Sequence, residues 1–318
     1  MIQRLPPRIT SRLRLPVIAA PMLRVSGPEL VVAAAKAGVI GAFPTANARS
    51  ADELDQWLGA IDSAVDANYA PYAPNLIMRS PRFAQDLDVI LRHNVEIVII
   101  SVGSPAAAVG PLHERGVLVF ADVATLRHAR LAIDAGADGL ILLTAGAGGQ
   151  TGWVNPFAFA RAVRAIFDGP VVLAGGVSDG YALRATQVLQ CDLAYMGTAF
   201  IATEESRAEA EYKTILVDSD IDDIVLTRAF TGLPANMLIP SIRKAGLDPA
   251  DLDEHVSAQE ANQKFGRDGV VAHRWSDIWS AGHSTTGVRA VVSVSALVQR
   301  LADEYNRAGV SGQLNTVV

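Results

Sequence analysis

The sequence predicts an α/β protein: a closed (β/α)8 barrel with a mainly helical insertion or cap near the C-terminus. Three observations carry this. Short aliphatic runs alternate with helix-like segments over about the first two hundred residues, and such alternation means a parallel sheet. Eight such units favour a closed barrel over an open sheet. The last three runs end in small residues: Gly146, Gly148 and Gly149; Gly175 and Gly176; Gly197 and Thr198. Strands buried on both faces read as near-continuous apolar runs, and glycines at their ends let the backbone approach a phosphate closely.

The elements follow in order. Leu15–Ala20 is the first strand, stopped by Pro21-Met22. Gly27-Pro28-Glu29 opens a helix that Gly38 ends, with proline in its first turn. Val39–Phe43 is the second strand. Ser50 to Glu53 has the capping-box pattern for a helix running to about Val65. Tyr72–Met78 is the third strand and contains Asn75. A helix follows over about Arg82–His93, then the fourth strand, Val95–Ser101, and a helix ending at Gly116. Val117–Ala121 is the fifth strand, and Thr125–Ala135 is helical. The last three strands are Leu140–Leu143, Val171–Ala174 and Leu193–Met196, with helices around Phe157–Phe167 and Asp179–Leu189.

Beyond Thr198 the regularity changes. Glu204–Leu216 reads as a charged amphipathic helix, Thr227–Pro240 as strand-like and turn-like pieces, and Ala250–Phe265 as a polar helix. Val288–Ala308 closes the chain as an amphipathic helix. The division expected is a barrel of residues 1–214 with 286–318, and a cap of residues 215–285 over the active site.

Composition narrows the function. Half of the 318 residues are hydrophobic and 19% are charged, a globular balance. The net charge of −6 gives no electrostatic footprint for nucleic acid. One cysteine, Cys191, excludes an intrachain disulfide framework and fits a reducing compartment. No apolar run approaches the roughly 18 residues of a membrane span, and the start has no long apolar stretch of a secretory signal. The expectation is a cytoplasmic protein without membrane or nucleic-acid partners.

Phosphate sites in barrels often form after strands seven and eight. Gly175-Gly176 and Gly197-Thr198 fall there, so their amides and the Thr198 hydroxyl would hold a phosphate at a helix start. A dinucleotide loop is rejected: Thr151 stands where the last glycine of G-x-G-x-x-G should be. Zinc-ligand spacing and a nucleophile elbow are missing. His93, His113, His128 and His255 read as surface residues, and the runs Glu204–Glu211 and Asp218–Asp223 as solvated faces. Scarce acid–base groups suit a bound redox cofactor.

AAPM at Ala19–Met22, AGAGGQTG at Ala145–Gly152, AGGVSDG at Ala174–Gly180 and MGTAFIATEES at Met196–Ser206 resemble the FMN-dependent nitronate monooxygenases, as do TGLPAN at Thr231–Asn236 and WSAG at Trp279–Gly282. That family also holds flavin NADH:quinone reductases and enoyl-acyl-carrier reductases. The resemblance implies a TIM barrel with FMN across the strand ends. Ala20, Pro21 and Met22 would line the flavin ring, Asn75 would contact it and Gly148 would pack near it. Gly175, Gly176, Gly197 and Thr198 would hold its phosphate.

Two departures are visible. The family's usual AGGHxG has Gln150 at its histidine, and glutamine can hydrogen-bond but cannot act as a base. The later AGQ pattern reads Ala281-Gly282-His283. The two residues look exchanged, and the expectation is that both loops face one flavin, with His283 supplying the imidazole. A nitronate, already an anion, needs an orienting donor more than a base, so neutral nitroalkanes are disfavoured. Asp122 stands near a position where relatives carry lysine; a carboxylate there adds no positive charge near the flavin.

The function expected is FMN-dependent oxidation of alkyl nitronates, a small-molecule substrate, with O2 as electron acceptor. An NAD(P)H-dependent reductase of a quinone or enoyl thioester is the alternative, and an inactive phosphate-ligand binding barrel is the non-enzyme alternative. The sequence leaves a homo-oligomer open.

Overall fold

The computed structural model describes residues 4–266, 269 and 271–310. The expected domain ends at 1–3 and 311–318, and positions 267, 268 and 270 of the cap, lie outside the described residues.

The strands are β1 (Val17–Ala19), β2 (Ile40–Pro44), β3 (Tyr72–Ile77), β4 (Ile97–Ser101), β5 (Leu118–Val123), β6 (Gly139–Leu143), β7 (Gly149–Gln150), β8 (Val171–Ala174) and β9 (Leu193–Met196). All but β7 pair in parallel and in chain order, and β9 pairs back onto β1 to close an eight-stranded barrel. Alternate residues point in and out. Ile97 and Ile99 of β4 fill the barrel with Ile18, Ile40, Phe120 and Ile141. Val98 and Ile100 pack outward with Leu54, Leu58 and Leu112 of the surrounding helices. Both faces are buried, which is why these strands read as unbroken aliphatic runs.

Helix boundaries follow their caps. Gly38, Gly116 and Gly136 take left-handed φ of 85°, 70° and 89° after their helices, a conformation glycine adopts without a Cβ penalty. Ser50 accepts from the Glu53 amide at 3.1 Å and caps helix Ala51–Ala64. The capping box is only half made, because the Glu53 carboxylate turns to the amide and guanidinium of Arg49. Thr125, Asn155 and Asp179 cap helices Leu126–Asp134, Pro156–Arg164 and Gly180–Val188 in the same way.

The basic start of the chain has a structural use that its sequence did not disclose. Helix Pro7–Thr10 places Leu5 and Ile9 in the interior cluster and plugs the barrel bottom. Arg12 anchors it with bonds of 2.6 and 2.7 Å to the Glu96 carboxylate. His93 is a second correction: it is not a free surface residue, since its ring nitrogens meet Asp62 at 2.9 Å and Asp55 at 3.2 Å.

After the barrel a short helix covers Thr198–Ile201, and the helix expected over Glu204–Leu216 begins only at Ala210, as Ala210–Val217. The hydroxyls of Thr203 and Ser206 donate to the carbonyls of Phe200 and Ile201. The Lys213 ammonium donates to the carbonyls of Thr203 and Ser206 at 2.7 and 3.0 Å. These bonds stabilise a turn that competes with helix. The polar helix expected from Ala250 begins only at Ala258, where Ser257 and Glu260 form a capping box.

The final helix, Val294–Val310, starts later than the expected Val288. Both Glu205 oxygens accept from the Val294 amide, at 3.1 and 2.9 Å. Glu205 therefore sits at a helix N-terminus, where a carboxylate is favoured, instead of on a solvated face. Glu205→Ala is expected to lower stability by about 1–2 kcal/mol in urea unfolding, while Glu204→Ala, whose side chain makes no such contact, changes little.

The segment between barrel and final helix adds β10 (Ile224–Thr227) and β11 (Ala235–Leu238) to short helices. These strands form an antiparallel pair, and β11 pairs onward with β7. The strand-like pieces in Thr227–Pro240 are thus partly real strands, and they tie this segment to the loop after β6.

Candidate active site

A cleft of about 1020 Å³ opens at the C-terminal ends of the barrel strands. Ala20, Pro21 and Met22 line it from the end of β1, Asn75 from β3, Gly148 and Gln150 from the loop after β6, and Gly175, Gly176, Gly197 and Thr198 from the ends of β8 and β9. His283 is not among its walls. That side chain is exposed, and its ring stands against Gly146, where a Cβ would lie 2.8 Å from Nδ1.

Each wall is held by its own bonds. The turn after β1 is fixed by Asn47, whose amide donates to the carbonyls of Met22 and Ser26 at 2.9 and 2.8 Å. Asn75 is buried and donates to the Ile99 carbonyl and the Ser101 hydroxyl at 3.2 and 3.0 Å. Asn47 and Ser101 carry no motif that sequence reasoning could use.

The loop after β6 meets the segment 281–283 backbone to backbone. A Cβ on Gly148 would lie 2.8 Å from the Gly282 nitrogen, and one on Gly282 would lie 2.5 Å from the Gly146 carbonyl oxygen. The His283 amide donates to the Gly146 carbonyl at 2.9 Å, the Gly282 amide to the Thr198 hydroxyl at 3.0 Å, and the Asn236 side chain to the Ala147 carbonyl at 2.7 Å. The two loops with the exchanged residues therefore do meet, through main chain. Thr198 uses an oxygen lone pair on Gly282 and keeps its own hydrogen to donate.

The glycine pair after β8 divides its tasks. Both residues have left-handed φ, 113° at Gly175 and 74° at Gly176. Gly175 is crowded: a Cβ would lie 2.6 Å from the Thr144 hydroxyl and 2.9 Å from the Ala147 nitrogen. At Gly176 a Cβ would meet no atom within 4 Å. The first glycine is a packing requirement, and the second presents bare backbone to the cleft.

Two polar side chains form the floor. Asp122 of β5 and Tyr195 of β9 line the cleft from strand positions. The Asp122 Oδ1 and the Tyr195 hydroxyl are buried without a hydrogen-bond partner among the described residues. Burial alone pushes the Asp122 carboxyl up to about 7. Burial, with the Asp122 charge, raises the Tyr195 hydroxyl well above its ordinary range. Sequence reasoning placed Asp122 near the site and missed Tyr195, which there was only one more residue of an apolar strand. Among the described residues no group of three or more histidine, cysteine or acidic side chains is arranged to hold a metal ion.

The rim is different in character. Arg79 and Arg228 are exposed there. Arg274 bonds the Phe230 carbonyl and the Asn262 side chain, both at 2.9 Å. Leu131, Trp153 and Leu233 stand beside them with 53%, 76% and 47% of their surface exposed, so the mouth is basic and apolar together.

Known proteins match this arrangement. The sequence profile described as nitronate monooxygenase matches residues 69–304. The structure of FabK from Thermotoga maritima superposes with a TM-score of 0.81 at 26% identity, covering 96% of this chain and 98% of that one. Nitroalkane oxidase from Streptomyces ansochromogenes superposes with a TM-score of 0.78 at 27% identity, covering 96% and 99%. A (3aS,4S,5R,7aS)-5-hydroxy-7a-methyl-1-oxo-octahydro-1H-indene-4-carboxyl-CoA dehydrogenase of Rhodococcus jostii is 26% identical over 84% of this chain and 74% of its own. With the barrel closed, the cleft at its strand ends and the profile spanning most of the sequence, the chain belongs to the nitronate monooxygenase family and is an oxidoreductase.

Proposed function

We propose that the protein is an FMN-dependent oxidoreductase that oxidises alkyl nitronates with O2. The observation that carries this is the open backbone of Gly176 beside Gly197-Thr198, in the cleft that Gln150 also lines. Family membership implies a flavin, and the residues fit one. Gly176 offers a cradle that any Cβ would enter, and Asp122 and Tyr195 hold unpartnered polar atoms beneath. Gly175, Gly176, Gly197 and Thr198 would hold the phosphate; Ala20, Pro21, Met22, Asn75 and Gly148 would surround the ring. The bound cofactor would supply the electron-accepting chemistry.

The chain's own residues then orient the substrate. Gln150 is exposed on β7, where pairing with Ala235 of β11 fixes its backbone. Its amide N–H can donate to an anionic nitro oxygen, which suits a substrate with no proton left to remove. The exposure of His283 on Gly146 gives the orienting task to Gln150. A cytoplasmic setting goes with this reading.

A second reading is an NAD(P)H-dependent reductase of a quinone or enoyl thioester. The rim favours it: three arginines among exposed apolar side chains suit a long, anionic, partly apolar ligand better than a small nitronate. Anaerobic mixing separates the two. An alkyl nitronate is expected to bleach the flavin absorbance while NADH and NADPH do not. Gln150→Ala is expected to slow that bleaching by roughly tenfold or more, the loss of about one charge-assisted hydrogen bond, with His283→Ala close to wild type. Rapid bleaching by NADH or NADPH would transfer the assignment to the second reading.

A further inference from the structure

The floor of the cleft contains two side chains, Asp122 and Tyr195, to which the proposed function assigns no task. Asp122 and Tyr195 lie near the C-terminal ends of β5 and β9, separated in the barrel order by β6 and β8. Both side chains reach the cleft, and both keep a buried polar atom without a partner. A buried polar atom left unpaired costs about 1–3 kcal/mol, so two that both line an open cleft mark where a ligand's polar atoms belong. Neighbouring strands offer no substitute, since Ser101 on β4 bonds Asn75 and β6 contributes Ile141 and Leu143 at this level.

We propose that the Asp122 carboxyl, carrying its proton, and the Tyr195 hydroxyl donate hydrogen bonds to acceptor atoms of the bound flavin ring, so that flavin binding requires a protonated Asp122. This rests on the flavin reading above and adds to it a pair of ring-binding residues and a pH dependence. Only the protonated carboxyl has a hydrogen to donate. Burial favours that form, and no charged neighbour opposes it. Binding that needs the proton weakens as the pH rises past the value, about 7, at which the free carboxyl loses it. Other titratable or charged groups lining the cleft are Tyr195 and Tyr212, both raised by burial, exposed His128, and the rim residues Arg79, Arg228 and Arg274.

The test is titration of flavin-free protein with FMN between about pH 6 and about pH 9, with riboflavin as the phosphate-free probe. A phosphate monoester's second ionisation lies near pH 6, so above about pH 7 the FMN phosphate does not contribute a break. Wild-type affinity is expected to be flat below about pH 7 and then to fall roughly tenfold per pH unit. Asp122→Asn keeps an N–H donor at every pH, so its affinity is expected to be flat and within about threefold of wild type near pH 6. Tyr195→Phe is expected to weaken binding severalfold at every pH and keep the break. The infrared spectrum of the flavin-free wild type is expected to show a protonated-carboxyl band near pH 6 that Asp122→Asn lacks. Tight wild-type binding without a break overturns this proposal alone, as does a break that survives in Asp122→Asn or is removed by His128→Gln. A protein that takes up no flavin at any pH overturns the cofactor reading with it.

Discussion

Gly176→Val is expected to give a folded but colourless protein, and Gly175→Val a protein that does not fold stably. The two glycines are adjacent and share positive φ, yet their surroundings differ. A valine at Gly176 meets no protein atom at Cβ, so its branches enter the cleft where the phosphate would lie. The left-handed backbone adds about 1–2 kcal/mol for a non-glycine residue. FMN affinity should fall by about a hundredfold or more, roughly 2.7 kcal/mol. A valine at Gly175 is driven into the Thr144 hydroxyl, which itself holds the Ala174 carbonyl at 2.6 Å, and into the Ala147 amide. Overpacking on that backbone should cost about 3 kcal/mol or more. Circular dichroism with heating reports the fold, and absorbance of the purified protein reports the flavin. A yellow Gly176→Val protein with wild-type affinity would move the phosphate elsewhere.

At the opposite end of the barrel, Arg164→Met is expected to destabilise the protein by about 3–5 kcal/mol without changing flavin affinity. The Arg164 and Asp192 side chains are 5% and 2% exposed, and they pair at 2.9 Å. The same guanidinium donates to the carbonyls of Phe167, Gly169 and Gln190 at 3.0, 2.7 and 2.9 Å. Asp192 also accepts from the Val171 amide at 3.0 Å. Removing the cation strips three carbonyls of a donor and leaves a carboxylate buried. The nearby Arg4, 3.6 Å from the other Asp192 oxygen, is a partial substitute. Urea unfolding should show the midpoint falling at unchanged slope. Asp192→Asn in the Arg164→Met background should recover part of the loss, because a neutral amide is cheaper to bury than an unpaired charge. Equal stability of Arg164→Met and wild type would mean that water replaces the guanidinium there.

The eight barrel strands were legible because burial on both faces demands aliphatic runs, and the runs at Val171–Ala174 and Leu193–Met196 coincide with β8 and β9. Helix ends were legible where a local cap set them, as at Gly38 and Thr125. They were not legible where a distant group intervened. Glu205 sets the start of the last helix from eighty-nine positions away, and Lys213 closes the turn at Thr203 and Ser206 that breaks the expected helix. The glycine loops stood out in the sequence, but nothing local distinguished crowded Gly175 from open Gly176.

The sequence by itself determined the barrel and the stretch of chain at its mouth, because strand periodicity, glycine conformation and capping are local consequences of residue type. Tertiary structure alone decided that Asp122 and Tyr195 meet on one floor of the cleft, each with a buried polar atom, that His283 turns out onto Gly146 while Gln150 faces the cleft, and that the arginine start plugs the barrel base. Those facts depend on which side chains meet across strands distant in the chain. Such meetings fix desolvation and hydrogen-bond supply, and no short window of sequence records them.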